Sequence, residues 1–124
     1  MTTNEIRRNS IVFVKNPLPH DEDSHVMQGD HYAIVAQNDI GNTYSESIII
    51  CYVTSKIKRL DIRTNVCLQF YKGLYNKPAM AKCSQIMTID KSNIVDVVDY
   101  LRPEDVIRLN EAIKISFALS ENVF

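Results

Sequence analysis

A chain of 124 residues with 45% hydrophobic content is long enough for one compact core and too short for two, so a single domain spanning 1–124 is expected. Its formal net charge of -1 excludes a global field that draws the protein to nucleic acid or to an anionic membrane, and any polyanion must be held by a local patch. The longest apolar runs, such as SIIICYV, fall far short of the roughly 20 residues that span a bilayer, and MTTNEIRRNS has no signal-type apolar stretch, so a cytoplasmic protein is expected.

SIVFVK (10–15) is β-branched and aromatic, the composition of a strand. NPLPHDEDSHVMQGD follows, a long loop with two prolines and four acidic residues; loops of that length within a small domain are usually functional or disordered. HYAIVAQ (31–37) reads as a second strand and ESIIICYVT (46–54) as a third. Between them NDIGNTYS supplies the residues that favour turns. The unbroken apolar centre of the third strand implies burial on both faces and a central place in a sheet.

SKIKRLDIRT (55–64) sets four basic residues around one aspartate, and TNVCLQF (64–70) returns to strand alternation. YKGLYNKP is a turn-rich connector, AMAKCSQIM (79–87) a further strand and IVDVVDYL (94–101) another. Pro103 and Glu104 mark a helix start, because proline suits the first turn and acids suit the positive end of the helix. Val106, Leu109, Ile113 and Phe117 then fall on one face, with Glu104, Asp105, Arg108, Glu111 and Lys114 left mostly to water. Strands in succession with one terminal helix predict a mainly β, predominantly antiparallel, partly open barrel with the helix on one side.

Cys51, Cys67 and Cys83 form no CxxC pair and lie in apolar or alternating stretches, so buried reduced thiols are expected in place of a zinc site. HDEDSH offers His20, Asp21, Asp23 and His25 as ligand types, but nothing in the spacing fixes a coordination geometry, and no metal or cofactor is expected.

Three polar clusters sit at strand ends: the loop through Gly29 to His31, VTSKIKR after the third strand, and SQIMTIDK at 84–91. Their residue types suit phosphodiester chemistry. Thr54 and Ser55 offer hydroxyl donors, Lys56, Lys58, Arg59 and Arg63 offer cations, Gln85 offers an amide that reads a base edge, and His31 titrates near neutrality. RNA carries its own nucleophile, the 2′-hydroxyl. A protein that removes that proton and protonates the leaving 5′-oxygen needs no metal and leaves a cyclic phosphate. Each cluster has a plainer reading as well: a structural histidine, an ordinary strand end, a solvated basic loop.

At AIVAQNDIGN, YVTSKIK and QIMTIDK the chain resembles the MazF/PemK family, the toxins of bacterial toxin–antitoxin pairs, from about Arg8 through Leu119. The resemblance implies a small SH3-like barrel of the CcdB/MazF type with a C-terminal helix, a homodimer, and sequence-selective cleavage of single-stranded RNA, mRNA included, without metal. It also implies a cognate antitoxin whose extended tail covers the RNA groove. The family threonine that helps bind and stabilise the reacting phosphate corresponds to Thr54. The family arginine of a Gly-x-Arg-Pro stretch corresponds to His31, with Tyr32 at the proline, and a second arginine corresponds to Met87.

Two loci without a guanidinium weaken stabilisation of a dianionic phosphorane, while an imidazole shuttles protons better at neutral pH. The expected roles are His31 and Thr54 as catalytic residues, with Gly29, Ser55, Lys56, Lys58 and Gln85 binding the substrate. The alternative is a catalytically weakened MazF-like module that binds an antitoxin or poisons a protein target.

Overall fold

The computed structural model describes residues 5–15 and 29–119. The acidic loop, with His20, Asp21, Asp23 and His25, lies outside the described residues. Within them the strands are β1 (Ser10–Val14), β2 (His31–Val35), β3 (Ser47–Thr54), β4 (Asn65–Leu68), β5 (Ala79–Asp90) and β6 (Ile94–Tyr100). The helices are α1 (Asp39–Tyr44) and α2 (Pro103–Ser116).

All strand pairs of the described sheet are antiparallel, in the order β4-β5-β3-β2-β1-β6, so β3 is central as its apolar run implied. Alternation divides the buried side chains between two faces. Ile11, Ile34, Cys51, Val53, Ala81 and Cys83 pack on one side with Leu109 and Ala112 of α2. Val12, Ala33, Val35, Ile48 and Ile50 pack on the other with Ile94 and Val97 of β6. Together the six antiparallel strands and the C-terminal helix make the mainly β, predominantly antiparallel architecture with one helix on its side that the alternating strands predicted.

Several local expectations need correction. SQIMTIDK, read as a cluster at a strand end, lies almost wholly within β5, which runs on to Asp90, and Cys67, expected buried, is partly exposed. NDIGNTYS, read as a turn, contains the helix α1. Asn38 caps it by accepting from the Gly41 N–H at 2.8 Å, and the buried Asn42 donates to the Gln37 carbonyl at 3.0 Å, so the same Asx chemistry that makes turns nucleates one and a half turns of helix here. Phe117, placed by periodicity on the inner face of α2, follows the last helical residue and is 57% exposed. Asp105, expected in water, is 4% exposed.

The burial of Asp105 has a clear cause. Its Oδ2 accepts from the Tyr71 hydroxyl at 2.6 Å, and its Oδ1 accepts from the Arg108 guanidinium at 2.8 Å. The Arg102 guanidinium lies 3.4 Å from the same carboxylate and stacks 4.1 Å over the Tyr71 ring, while its backbone N–H donates to the Tyr71 oxygen at 2.9 Å. Arg108 donates to the Cys67 carbonyl at 2.9 Å and Arg102 to the Phe70 carbonyl at 3.2 Å. Burial, reinforced by the bond to Asp105, pushes the Tyr71 phenol up to about 12. This clasp fastens the first turns of α2 to the end of β4, and a buried charge is tolerated because several donors surround it.

Removing the carboxylate tests the clasp. Asp105→Ala is expected to lower the unfolding free energy by about 2 to 3 kcal/mol, the scale of hydrogen bonds to a charged group left without an acceptor. Glu104→Ala, one residue away and 68% exposed, is expected to change it by less than about 0.5 kcal/mol. Urea denaturation of the two variants checks this, and similar midpoints for both would dismiss the clasp as a stabilising element.

Candidate active site

His31 opens β2 and Thr54 closes β3. The two strands pair through Tyr32↔Val53 and Ala33↔Tyr52, and one more step of that register sets His31 opposite Thr54. Residues directly opposite in an antiparallel pair point to the same face, with Cβ atoms about 4.5 to 5.5 Å apart. His31, Tyr52 and Thr54 therefore share the face that carries Ala33 and Ile50.

The imidazole of His31 is closely held. Nδ1 lies 2.5 Å from the Gly29 carbonyl oxygen, so Nδ1 carries the proton and Nε2 keeps the lone pair in the neutral ring. Gly29 adopts a φ of +77°, a conformation open to glycine at little cost, and that turn aims its carbonyl at the ring. The Tyr52 ring packs edge-on at 5.8 Å between centroids. The residue is 9% exposed, and Nε2 is buried with no hydrogen-bond partner among the described residues. Burial lowers the His31 pKa below its usual 6.5, opposed by the bond to Gly29 and by the charge of Asp30.

Thr54 is fixed differently. Its hydroxyl oxygen accepts from the Lys56 backbone N–H at 3.1 Å, which leaves the hydroxyl proton free to be donated elsewhere. Ser55, Lys56 and Lys58 follow in an exposed segment. Arg59 in that segment is engaged with Asp61 at 2.9 Å, so its charge is partly answered locally.

Gln85 reaches the same region through an irregularity. β3 pairs with β5 through Tyr52↔Lys82 on one side and Cys51↔Ile86 on the other, a register shift that bulges Cys83, Ser84 and Gln85 out of the ladder. Alternation with Ile86 and Met87 puts Gln85 on the Met87 side of β5, while Tyr52 itself pairs with Lys82. Met87, which pairs with Ile50, packs half-buried against the apolar cluster of the same face.

The registers bring His31 and Thr54 to neighbouring positions on β2 and β3, with Gly29 supporting His31 from behind, while Gln85 lies on β5, the next strand over. Lys58 is held less closely, exposed further along the segment after β3. Tyr52 was missed by sequence reasoning. Its signal was available in the alternation of CYVT, which puts residues 52 and 54 on one face, but its contact with His31 depends on the pairing of β2 with β3. Tyr32 takes the opposite face, edge-on to Phe13 at 5.2 Å; burial, with a bond to Tyr75, pushes its phenol up to about 12.

A cavity of about 360 Å³ lined by Cys67, Gln69, Phe70, Arg102, Asp105 and Arg108 lies at the clasp, away from these residues. Its arginines are already bonded to Asp105 and to backbone carbonyls.

The family model of the PemK-like, MazF-like toxin of type II toxin–antitoxin systems matches residues 7–117. The chain belongs to this family. It is 33% identical over 86 residues to the endoribonuclease EndoA of Bacillus subtilis, covering 69% of this chain and 74% of that protein. It is similar in fold to MazF from Deinococcus radiodurans, with a TM-score of 0.75 at 16% identity over 93% of this chain and 98% of that one. A mycobacterial endoribonuclease solved in complex with its cognate antitoxin superposes with a TM-score of 0.74 at 16% identity, over 93% and 97% of the two chains. No helix among the described residues of this MazF/PemK chain is long and apolar enough to cross a membrane.

The enclosure of His31 has a measurable sign. Below pH 6.5 an unfolded chain takes up a proton that the native ring refuses, so this residue's contribution to stability declines as pH falls from 6.5 towards the folded pKa. The ring resonances of His31, assigned with His31→Gln, are expected to titrate with a midpoint below 6.5. Tyr52→Ala, by admitting water, is expected to move that midpoint back up. A wild-type midpoint at or above 6.5 would contradict desolvation as the dominant influence.

Proposed function

We propose that this MazF/PemK chain is a metal-independent, sequence-selective endoribonuclease that cleaves single-stranded RNA by attack of the 2′-hydroxyl on the adjacent phosphate. The observation that carries the reading is the shared face of His31 and Thr54 at adjoining strand ends, with the His31 proton held on Nδ1 and the lone pair left on Nε2. In this reaction Nε2 takes the 2′-hydroxyl proton as the new O–P bond forms, and a proton delivered to the 5′-oxygen completes departure of the downstream strand. The products are a cyclic phosphate and a 5′-hydroxyl.

Thr54 donates its hydroxyl to a phosphate oxygen, and the exposed Ser55, Lys56 and Lys58 supply further donors and positive charge to the flanking backbone. Gln85, presented at the bulge, contacts a base edge, and the turn at Gly29 borders the reacting ribose. Because Nε2 is enclosed in the chain alone, productive RNA binding entails a local opening at the start of β2. That opening is where sequence selection enters, since only a strand that gains more than the opening costs is processed.

The relatives named as endoribonucleases support the activity, and the mycobacterial complex supports a cognate antitoxin as partner. We further assign the chain to a homodimer in the cytoplasm, as a domain that occupies its whole length. The second reading is a MazF-like binding module that sequesters an antitoxin or poisons a protein target. The same enclosure of Nε2, together with Met87 and His31 where the family carries arginines, favours it.

Cleavage of a long transcript in the presence of a chelator, followed by mapping of the cuts, separates the two. An oligonucleotide around a mapped cut is expected to be cleaved, and the same strand with 2′-deoxyribose at the scissile position to survive. His31→Ala is expected to slow cleavage by about 10²- to 10⁴-fold, the usual scale of lost general acid–base catalysis. Thr54→Ala should slow it by at least about tenfold through weaker phosphate stabilisation. Equal cutting of the ribo and deoxy strands rules out the 2′-hydroxyl mechanism, and transcripts left intact by tightly folded protein favour the binding module.

A further inference from the structure

Cys51 and Cys83 are free thiols, both fully buried, and the proposed reaction uses neither. They lie on adjacent strands. The outer register of β3 with β5 runs Thr54↔Met80, Val53↔Ala81, Tyr52↔Lys82; the next residues on the two strands are Cys51 and Cys83, where the ladder breaks and Cys51 pairs with Ile86 instead. Both side chains belong to the cluster on the α2 side of the sheet, so they face each other across the pair.

The two thiols are within hydrogen-bond reach of each other across neighbouring strands, the kind of juxtaposition a disulfide needs, since it spans Cα atoms about 4.4 to 6.8 Å apart. Break of register also matters, because a bulged strand adjusts its backbone locally more readily than a continuous ladder. The Cys83 backbone is anchored on its other side by donation to the Thr64 carbonyl at 2.8 Å, which keeps that residue beside β3.

We propose that Cys51 and Cys83 form a peroxide-sensitive dithiol that closes to an intramolecular disulfide across β3 and β5. The pair is chemically graded for this step. The Cys83 thiol donates to the Cys51 sulfur, which, with the positive charge of Arg8 nearby, favours the Cys51 thiolate against burial. The same bond, and then burial, push the Cys83 thiol up, so it remains the protonated partner.

The Cys51 thiolate attacks the O–O bond of a hydroperoxide, forming an S–O bond and releasing the alcohol or water as the other oxygen takes a proton. Cys83 then attacks the sulfenic sulfur, its proton leaving with the hydroxyl as water. Two thiols lose two electrons, and one hydroperoxide is reduced by two. A dithiol reductant reverses the change by exchange. The link fixes the bulge that carries Gln85, two residues beyond Cys83, against the strand that ends at Thr54, three residues beyond Cys51. This assignment stands independently of any reading of RNA cleavage.

The test is a peptide map of the full chain after exposure to hydrogen peroxide, quenched by alkylation under denaturing conditions. The expected result is a Cys51 peptide joined to a Cys83 peptide, with a mass lower by about 2 Da than the two thiols, separated again by dithiothreitol. Cys67→Ser should retain the linkage, while Cys51→Ser and Cys83→Ser should lose it. The wild-type map decides the matter even where a serine variant folds poorly. Recovery of both residues as alkylated thiols, sulfinic acid at either without linkage, or a disulfide drawing on Cys67 instead would overturn the proposal.

Discussion

A slip of β3 by one residue against β2 would turn Tyr52 and Thr54 to the α2 side and leave His31 facing backbone of the wrong parity. The register of this strand with its two neighbours is the constraint on which the rest of the molecule depends. Side chains in a strand alternate with a period of two, so register and facing are a single choice. That choice is made by burial. Cys51 and Val53 must enter the cluster under α2 while Ile48 and Ile50 enter the opposite one, and only one pairing satisfies both faces.

The same constraint explains why the candidate site sits where the ladder becomes irregular. β3 keeps a simple register with β2 but changes register with β5 between Cys51 and Tyr52. A bulge frees side chains from the ladder and redirects them, and here it delivers Gln85 towards the face of Tyr52, Thr54 and His31. On the other face the irregularity leaves the thiols of Cys51 and Cys83 in contact from adjacent strands. One local break therefore shapes both the candidate RNA-facing surface and the thiol pair beneath it.

Polar groups taken out of water have shaped the molecule at two further points, with opposite outcomes. At Asp105 the donors of Tyr71, Arg102 and Arg108 converge, and the buried carboxylate becomes a fastening between α2 and the end of β4. At His31 one ring nitrogen is bonded to Gly29 and the other is left without a partner among the described residues. A saturated buried network is rigid, whereas an unsatisfied nitrogen is a reservoir of unused bonding capacity, the condition expected of a group that meets its partner during binding.

Much of this was legible in the sequence. Alternation in SIVFVK, HYAIV and NVCL, the apolar run of β3 and the proline-initiated helix determined the elements and their inner faces, because those signals are local and repeat with the period of the backbone. The strand-end residues Thr54 and His31, and Gln85 within β5, could also be selected by chemistry alone. Asp105 and Phe117 could not be placed, since helical periodicity ranks faces but does not know which face meets a tyrosine hydroxyl. The helix in NDIGNTYS was hidden because asparagine caps and asparagine turns share one side-chain hydrogen bond. Only the tertiary structure decided that His31 is enclosed beside Tyr52, that residues 31 and 54 adjoin, and that Cys83 faces Cys51. Each of these is a relation between strands distant along the chain, fixed by joint burial of two faces, and no local pattern contains it.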